Sequence, residues 1–288
     1  MNLIKKCLEL IVSLILLPIK LIWVDIVILM EKFGKKEEQT LYRRPIKFTT
    51  KLKISLTKRY YKNLIKETRI DRKLLYGINP KYKNQEEKLL SMFGKCDQFD
   101  KKIKMIIISD THGCLNENEF SKFMEEHENF DVCILLGDHS VGDVDVILKY
   151  VDEEKLYALL GNHDNNYIGK FNLKNLNGNV ININGVKILG IQGSYKYKTD
   201  DFPSFTQKES IEFLNDKEIV DILVSHDAPY GLSGRNDVAH QGLFGILYYL
   251  FKNKVPYCIH GHLHTPYTKE MINGTKVQCY YMFNYVEL

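Results

Sequence analysis

The stretch KMIIISDTH, residues 104–112, joins an apolar run to an aspartate and a histidine. A short run of branched apolar residues is typical of a strand that is buried on both faces. Four more motifs follow apolar runs in the same way: Gly137-Asp138, Gly161-Asn162-His163-Asp164, Ser225-His226 and Gly261-His262-Leu263-His264. In open α/β sheets the loops at the carboxyl ends of the strands converge on one ligand site. We therefore expect the five motifs to form a single site.

The donor types in these motifs point to a metal centre. Two aspartates, an asparagine and four histidines offer oxygen and imidazole nitrogen, and no thiolate is among them. This set suits manganese, iron, zinc or cobalt better than calcium or a thiolate-bound structural zinc. Seven donors exceed the needs of one tetrahedral ion and fit two ions that share a carboxylate, about 3.5 to 4 Å apart. Because two divalent ions outweigh two carboxylates, such a site would attract a phosphate group.

The ordered series D-x-H, G-D, G-N-H-D, S-H and G-H-x-H resembles the calcineurin-like metallophosphoesterase superfamily, over residues 103–288. The resemblance implies that two divalent ions are bound, with manganese favoured. It implies that one ion is held by Asp110, His112 and His264, and that Asp138 bridges to the other. The remaining ligands implied for the second ion are Asn162, His226 and His262.

The resemblance also implies a reaction, the hydrolysis of a phosphoester. A hydroxide shared by the two ions would attack phosphorus opposite the leaving oxygen. His163 would be a donor to the phosphate or to the leaving oxygen instead of a metal ligand. Asp164, the next residue, is expected to orient an imidazole.

Taken singly, such motifs are ordinary turn sequences, because Asn, Asp and Gly satisfy local backbone groups. Five of the nine histidines nevertheless lie in them, in one order and after strand-like runs, which favours the two-metal interpretation. His139 and His260 adjoin the motifs and either support the ligands or pack in the core. His240 has no predicted role, although segment 225–242 could reach over the site. Arg235 in that segment is either a phosphate clamp or a surface residue.

The pattern of elements predicts an α/β fold. Strands at 103–108, 131–136 and 155–160 alternate with helices at 117–127 and 143–150, which indicates a parallel sheet. Asn184-Gly185 and Asn273-Gly274 are hairpin signals. Helices at 206–214 and 242–252 and strands at 219–224 and 255–259 complete the series. We predict a four-layer αββα sandwich of two mixed β-sheets, which the resemblance also implies, preceded by a helical, basic N-terminal arm.

Charge divides the chain into three predicted parts: residues 1–30, a hydrophobic membrane-associating segment; 31–100, a basic arm and linker; and 101–288, the catalytic domain. Residues 1–100 hold 22 Lys and Arg against 11 Asp and Glu, whereas residues 101–288 hold 18 against 25. Residues 8–30 contain 18 apolar side chains in 23, enough to cross a bilayer core. Lys20 and Asp25 oppose insertion, and Pro18 would kink the helix. The segment therefore spans a membrane, lies on its surface or packs on protein.

The basic arm predicts the partners and location. Residues 31–73 hold 15 Lys and Arg against five acids. Such a run binds anionic headgroups and marks the cytoplasmic side, so we expect residues 1–73 to contact an anionic membrane surface, with the catalytic domain in the cytoplasm. The six cysteines show no paired spacing, which agrees with a reduced compartment. Nucleic acid is a less favoured partner, and the oligomeric state stays open.

The substrate is predicted from one further resemblance. Residues 225–231, SHDAPYG, are similar to the S-H-x-P-P-x-G pattern of a compact branch of the superfamily and depart from it at Ala228. That branch includes phosphodiesterases, so phosphodiester cleavage is the first expectation. The alternatives are a nuclease that grips single strands with the arm, an enzyme acting on a lipid-linked pyrophosphate, and a membrane-bound adaptor that binds metal without hydrolysis.

Overall fold

Helices and strands alternate along most of the described chain. The computed structural model describes residues 84–197, 202–233 and 239–288. The helices in these ranges are α1 (Asn84–Phe93), α2 (Glu117–Glu126), α3 (Val141–Ile147), α4 (Tyr167–Phe171), α5 (Gln207–Asn215) and α6 (Phe244–Lys252). The strands are β1 (Lys104–Ser109), β2 (Val132–Leu135), β3 (Leu156–Ala158), β4 (Lys174–Asn175), β5 (Val180–Ile183), β6 (Val186–Ile191), β7 (Ser194–Tyr195), β8 (Ser204–Phe205), β9 (Ile222–Ser225), β10 (Tyr257–His260), β11 (Tyr267–Glu270), β12 (Lys276–Cys279) and β13 (Met282–Glu287).

The first sheet has the strand order β13-β1-β2-β3-β4. Strands β1 to β4 run parallel, and β13 pairs antiparallel with β1 at the edge. Side chains of β1 alternate between two cores, as the twofold period of a strand requires. Met105 and Ile107 pack between the two sheets, whereas Ile106 and Ile108 pack against α2, α3 and α4. This explains why the run in β1 is apolar at every position.

The second sheet has the strand order β11-β12-β10-β9-β6-β5. Its four central strands run parallel, and the two edge strands pair antiparallel. Val224 and Ile259 pack towards the first sheet, whereas Leu223 and Cys258 pack with α5 and α6 on the outer face. The layers are therefore helices, sheet, sheet and helices. The predicted four-layer sandwich of two mixed sheets is confirmed.

The two predicted hairpins are also confirmed. Asn184 and Gly185 have φ angles of 53° and 85° between β5 and β6, and two positive φ angles are what a type I′ turn requires. Asn273 and Gly274 lie between the antiparallel strands β11 and β12. The edge strand β13 was not predicted.

The segment predicted as a basic arm and linker, residues 31–100, contains α1. Leu89 on this helix is buried in the outer core together with residues of α6. Its apolar side chain stabilises the helix by packing on the sandwich, so the described part of this segment contributes to the folded domain. The predicted membrane-associating segment and most of the basic arm lie outside the described residues. Among the residues described, no helix has both the length and the apolar character needed to cross a membrane.

Candidate metal centre

The five motifs lie at the carboxyl ends of five strands. Each motif begins at or shortly after the last residue of its strand, which is β1, β2, β3, β9 or β10. Within each sheet these strands run parallel to one another. Parallel strands end at the same edge, so their loops meet there. The structure brings all seven predicted donors together, in the order of the chain: Asp110, His112, Asp138, Asn162, His226, His262 and His264.

The first donor group consists of Asp110, His112 and His264. His112 Nε2 lies 3.1 Å from His264 Nε2. Asp110 Oδ1 lies 3.3 Å from His264 Nε2 and 3.9 Å from His112 Nε2. Donor atoms that share one ion at about 2.1 Å are roughly 3 to 3.5 Å apart. The three donors are thus spaced to surround an ion after small adjustments.

Asp138 lies between this group and the second one. Its Oδ2 atom is 3.7 Å from His112 Nε2 and 3.6 Å from His226 Nε2. The same carboxylate, buried to 2% exposure, therefore faces donors of both groups. Its other oxygen, Oδ1, accepts a hydrogen bond from the backbone N–H of His163 at 2.7 Å. This hydrogen bond fixes the carboxylate so that Oδ2 points between the two groups.

The second donor group consists of His226 and His262, with Asp138 and Asn162 beside them. His226 Nδ1 donates to the carbonyl oxygen of Leu136 at 3.0 Å, because a carbonyl can only accept. Burial lowers the pKa of His226 to about 3, so the ring is neutral and Nε2 carries a lone pair. That lone pair faces Asn162 Oδ1 at 2.9 Å. Two facing acceptors repel each other unless a cation lies near both, so this pair fits a metal ion.

His262 is held by the segment that precedes α6. Its Nε2 atom donates to the carbonyl oxygen of Ala239 at 3.2 Å, so in the neutral ring Nδ1 carries the lone pair that can bind an ion. A metal-binding histidine usually gives its other N–H to such a carbonyl. The ring of His240 packs on the ring of His262 with centroids 4.9 Å apart. Ala239 and His240, near the end of segment 225–242, thus lie beside the second donor group, whereas Arg235 lies outside the described residues.

The residues present pass a direct test of fit to a metal. Asp110 is fully buried, and its Oδ1 atom accepts no hydrogen bond within the described part of the chain. Its Oδ2 atom accepts from the Ser109 hydroxyl and from the backbone N–H of His262. Burial would raise the pKa of Asp110, but His264, His226 and these hydrogen bonds hold it below its usual value. A buried, ionised carboxylate with one unused oxygen is what a cation site requires.

The backbone at the site is strained. Five of the donors have positive φ angles, a conformation that is uncommon outside glycine: Asp110, His112, Asp138, His262 and His264. Each such residue costs on the order of 1 kcal/mol or more, and persists only where the surrounding structure holds it. Because this strain falls on five of the seven donors, we infer that the loops are held in conformations that direct the donor side chains towards the site.

Asp164 is one of the residues that holds these loops. Its carboxylate accepts hydrogen bonds from the backbone N–H groups of Asp138, His139 and Gly161, at 2.6 to 2.7 Å. Burial raises the pKa of Asp164 to about 6, although these hydrogen bonds oppose the shift. We expected Asp164 to orient an imidazole. Its hydrogen bonds in the described structure go to backbone amides instead, because the tight turns after β2 and β3 leave those amides without strand partners.

Replacing Asp164 by Asn tests this role. The neutral amide has one accepting oxygen where the carboxylate has two, so at least one backbone N–H loses its acceptor and the others lose a charged one. We expect the free energy of unfolding to fall by about 1 to 3 kcal/mol, measured by urea denaturation. Asp145 is exposed on α3, so Asp145→Asn is the matched control and should leave stability unchanged. Equal midpoints for the two variants would contradict the role.

A second carboxylate that holds these loops is Asp143, which the sequence analysis did not identify. It accepts from the Thr111 hydroxyl and from the backbone N–H groups of Gly113, Leu115 and Ser140. It thereby ties the loop after β1 to the start of α3. A signal was available, because Ser140 and Asp143 form a capping box, a pattern that can be recognised in a sequence.

His139 and His260 have supporting positions. His139 is buried, contacts the Thr111 hydroxyl through Nδ1 at 2.8 Å, and packs edge-on against Tyr167. Nδ1 of His260 lies 2.9 Å from the Gly261 carbonyl oxygen and Nε2 lies 2.8 Å from the Tyr267 hydroxyl. Burial lowers the pKa of each histidine to about 4, so both are neutral. The two rings therefore brace the loops that carry the donors.

His163 lies at the open side of the site. His112, His163 and His264 are exposed, whereas Asp138, His226 and His262 are buried. The ring of His163 approaches the ring of His112 edge-on, with centroids 5.7 Å apart. A molecule arriving from solvent would therefore meet His163 beside the first donor group.

Comparison with known proteins identifies the family of this chain. Residues 103–266, more than half of the chain, match the family model of the calcineurin-like phosphoesterases. Curated proteins give no match. One solved crystal structure is 12% identical, with coverage of 65% of this chain and 95% of that one and a TM-score of 0.50. At this identity the similarity shows the fold alone.

Two further solved structures are more distant in shape. The calcineurin-like phosphoesterase YfkN from Bacillus subtilis is 13% identical, with coverage of 65% of this chain and 84% of that one and a TM-score of 0.41. The phosphopantetheinyl hydrolase PptH from Mycobacterium tuberculosis is 13% identical, with coverage of 62% and 89% and a TM-score of 0.43.

Proposed function

Because the chain belongs to the calcineurin-like phosphoesterase family, we propose that it is a two-metal phosphoester hydrolase that acts on phosphodiesters. The observation that carries the proposal is the shared carboxylate. Asp138 Oδ2 lies 3.7 Å from His112 Nε2 and 3.6 Å from His226 Nε2. One oxygen between two donor groups suits two ions close enough together for in-line displacement at phosphorus.

Divalent ions at both groups would supply water of lowered pKa and would neutralise charge on the phosphoryl oxygens. We propose manganese, because an amide and two carboxylates offer oxygen beside the imidazoles. Asp110 and Asp138 supply the negative charge that retains the ions. The strained loops, tied by Asp143 and Asp164, hold the donors in place before substrate arrives, which avoids reorganisation during the reaction.

In this proposal His163 donates a proton to the leaving oxygen. Three observations support the role. Its backbone N–H is fixed to Asp138 Oδ1 at 2.7 Å, its ring stands beside His112, and its side chain is exposed at the open side of the site. A positioned imidazole is the commonest general acid in enzymes.

His163→Ala should lower turnover by roughly 10²-fold or more, since one acid-base group contributes about 10² to 10⁴. Metal content should stay at the wild-type value, because the backbone hydrogen bond to Asp138 survives the substitution. The measurements are steady-state hydrolysis and metal analysis of the same samples. His127 packs on Tyr285 at the end of α2, so His127→Ala is the control and should retain activity. Unchanged turnover in His163→Ala would remove this residue from the mechanism.

The preference for a diester has two supports. One is the SHDAPYG segment at 225–231 and its similarity to a branch that includes phosphodiesterases. The other is charge. Residues 101–288 contain one arginine, Arg235, and a guanidinium fork is the group best matched to the oxygens of a terminal phosphate. A diester carries less charge than a monoester and needs less neutralisation by the protein.

A substrate panel tests the proposal. The full chain, loaded with manganese, would be given an aryl phosphodiester, the matching phosphomonoester, a cyclic nucleotide, a single-stranded oligonucleotide and a lipid-linked pyrophosphate. We expect the diester to be hydrolysed with a higher kcat/KM than the monoester. Faster monoester hydrolysis would overturn the diester assignment. Two bound metals without hydrolysis of any substrate would favour the adaptor alternative, and salt-sensitive cleavage of the oligonucleotide alone would favour a nuclease.

A further inference from the structure

The aromatic side chain of Tyr197 contacts a predicted metal ligand from outside the five motifs. Asn162 Nδ2 donates a hydrogen bond to the Tyr197 hydroxyl oxygen at 3.3 Å. The other end of the same amide, Oδ1, lies 2.9 Å from His226 Nε2 in the second donor group. An amide that donates from its nitrogen on one side must present its oxygen on the other. Tyr197 therefore lies where it controls which atom of Asn162 faces the ion.

The position of Tyr197 is built by several contacts. It follows β7, which pairs with β8, and its ring packs on Phe202 with centroids 5.3 Å apart. Two residues earlier, the backbone N–H of Tyr195 donates to Asp227 Oδ2 at 3.0 Å. Asp227 is fully buried, and its Oδ1 atom lies 4.0 Å from His262 Nε2. The β7 segment is thus anchored beside the second donor group at both ends of the Tyr195 to Tyr197 stretch.

We propose that Tyr197 is a positioning residue for the second metal ion and that it acts by holding the Asn162 amide with Oδ1 towards His226. The inference rests on the proposed two-metal function. The hydrogen bond also polarises the amide, which makes Oδ1 a stronger donor to a cation. Partners of this kind typically contribute 10- to 100-fold to metal affinity. Tyr197 does not touch the reacting atoms in this proposal, so its effect should fall on metal binding.

The test is a titration of Tyr197→Phe with manganese. Calorimetry measures the binding of each ion, and electron paramagnetic resonance detects the coupled manganese pairs. Phenylalanine keeps the ring on Phe202 and removes the hydroxyl. We expect the Kd of the ion at the second donor group to rise roughly 10- to 100-fold, while the ion at the first donor group binds as before. Tyr150 donates a hydrogen bond of the same 3.3 Å length to Glu117 on α2, so Tyr150→Phe is the matched control. An unchanged Kd for both ions in Tyr197→Phe would overturn the proposal.

A double-mutant cycle separates positioning from packing. In Asn162→Asp either side-chain atom facing the ion is oxygen, so the orientation no longer matters. Adding Tyr197→Phe to that background should then change the Kd of the ion at the second donor group by less than about threefold, because the carboxylate presents an oxygen to the ion whether or not Tyr197 donates to its other oxygen. An equal loss in both backgrounds would show a packing role and overturn the proposal. Because these readouts measure binding, a wild-type chain that binds two ions without hydrolysis would contradict the proposed function and leave this inference intact.

Discussion

Replacing Asp138 by Asn is expected to prevent stable loading of two ions and to lower turnover by roughly 10³-fold, since each metal contributes several kcal/mol and about 1.4 kcal/mol is a factor of ten. The reason is the position of Oδ2, which faces His112 on one side and His226 on the other. A neutral amide at this point removes the negative charge that both ions would share. Metal analysis after gel filtration and steady-state hydrolysis measure the two effects.

The substitution is suited to this test because it preserves shape. Asn is nearly isosteric with Asp and tolerates the positive φ of 60° at this position. Its side-chain oxygen can still accept the hydrogen bond from His163, and its backbone N–H can still donate to Asp164. We therefore expect the far-ultraviolet circular dichroism of the variant to match that of the wild type. Two tightly bound ions with normal turnover in Asp138→Asn would refute the bridging role.

The arrangement of donors was predictable because it depends on strands. An apolar run such as residues 105–108 must be buried on both faces, and the polar residues that follow must then lie at the sheet edge. The structure brings Asp110 and His264 to within 3.3 Å of each other although they are far apart in sequence. The four-layer fold follows from the same alternation of elements.

The residues that hold the donors were less accessible to prediction. Asp164 and Asp143 act through backbone amides of tight turns, and the geometry of those turns depends on loops that meet only in the folded chain. Tyr197 and Asp227 act through a short pair of strands, β7 and β8, that has no clear sequence signature. Sequence patterns therefore predicted the side chains that would bind a metal. They missed most of the residues that hold those side chains in position.

A second large effect is expected from a substitution at Gly261, which packs against Asp110 of the first donor group and directly precedes His262 of the second. A Cβ atom at this position would lie 2.6 Å from Asp110 Oδ2 and closer still to the Ser109 hydroxyl. Both atoms are buried at the end of β1, so neither can move away freely. Gly261→Ala should therefore push Asp110 out of the first donor group. We expect loss of the first ion and a fall in turnover of roughly 10²-fold or more, since a displacement of about 1 Å can cost that much.

Gly142→Ala is the matched control, because the nearest atom to a Cβ there is the Ser140 hydroxyl oxygen at 3.7 Å. Gly142 lies in α3, where alanine is favoured over glycine by about 1 kcal/mol, so this variant should be as stable as the wild type or slightly more so. Gly261→Ala should instead unfold at a lower temperature, since overpacking costs about 1 to 3 kcal/mol.

Adding Ser109→Ala to Gly261→Ala removes the nearest clash and should restore part of the stability. It should not restore turnover, because Asp110 Oδ2 would still meet the new methyl group and would have lost the Ser109 hydrogen bond. Full recovery of turnover in the double variant would show that the carboxylate of Asp110 does not need its observed position.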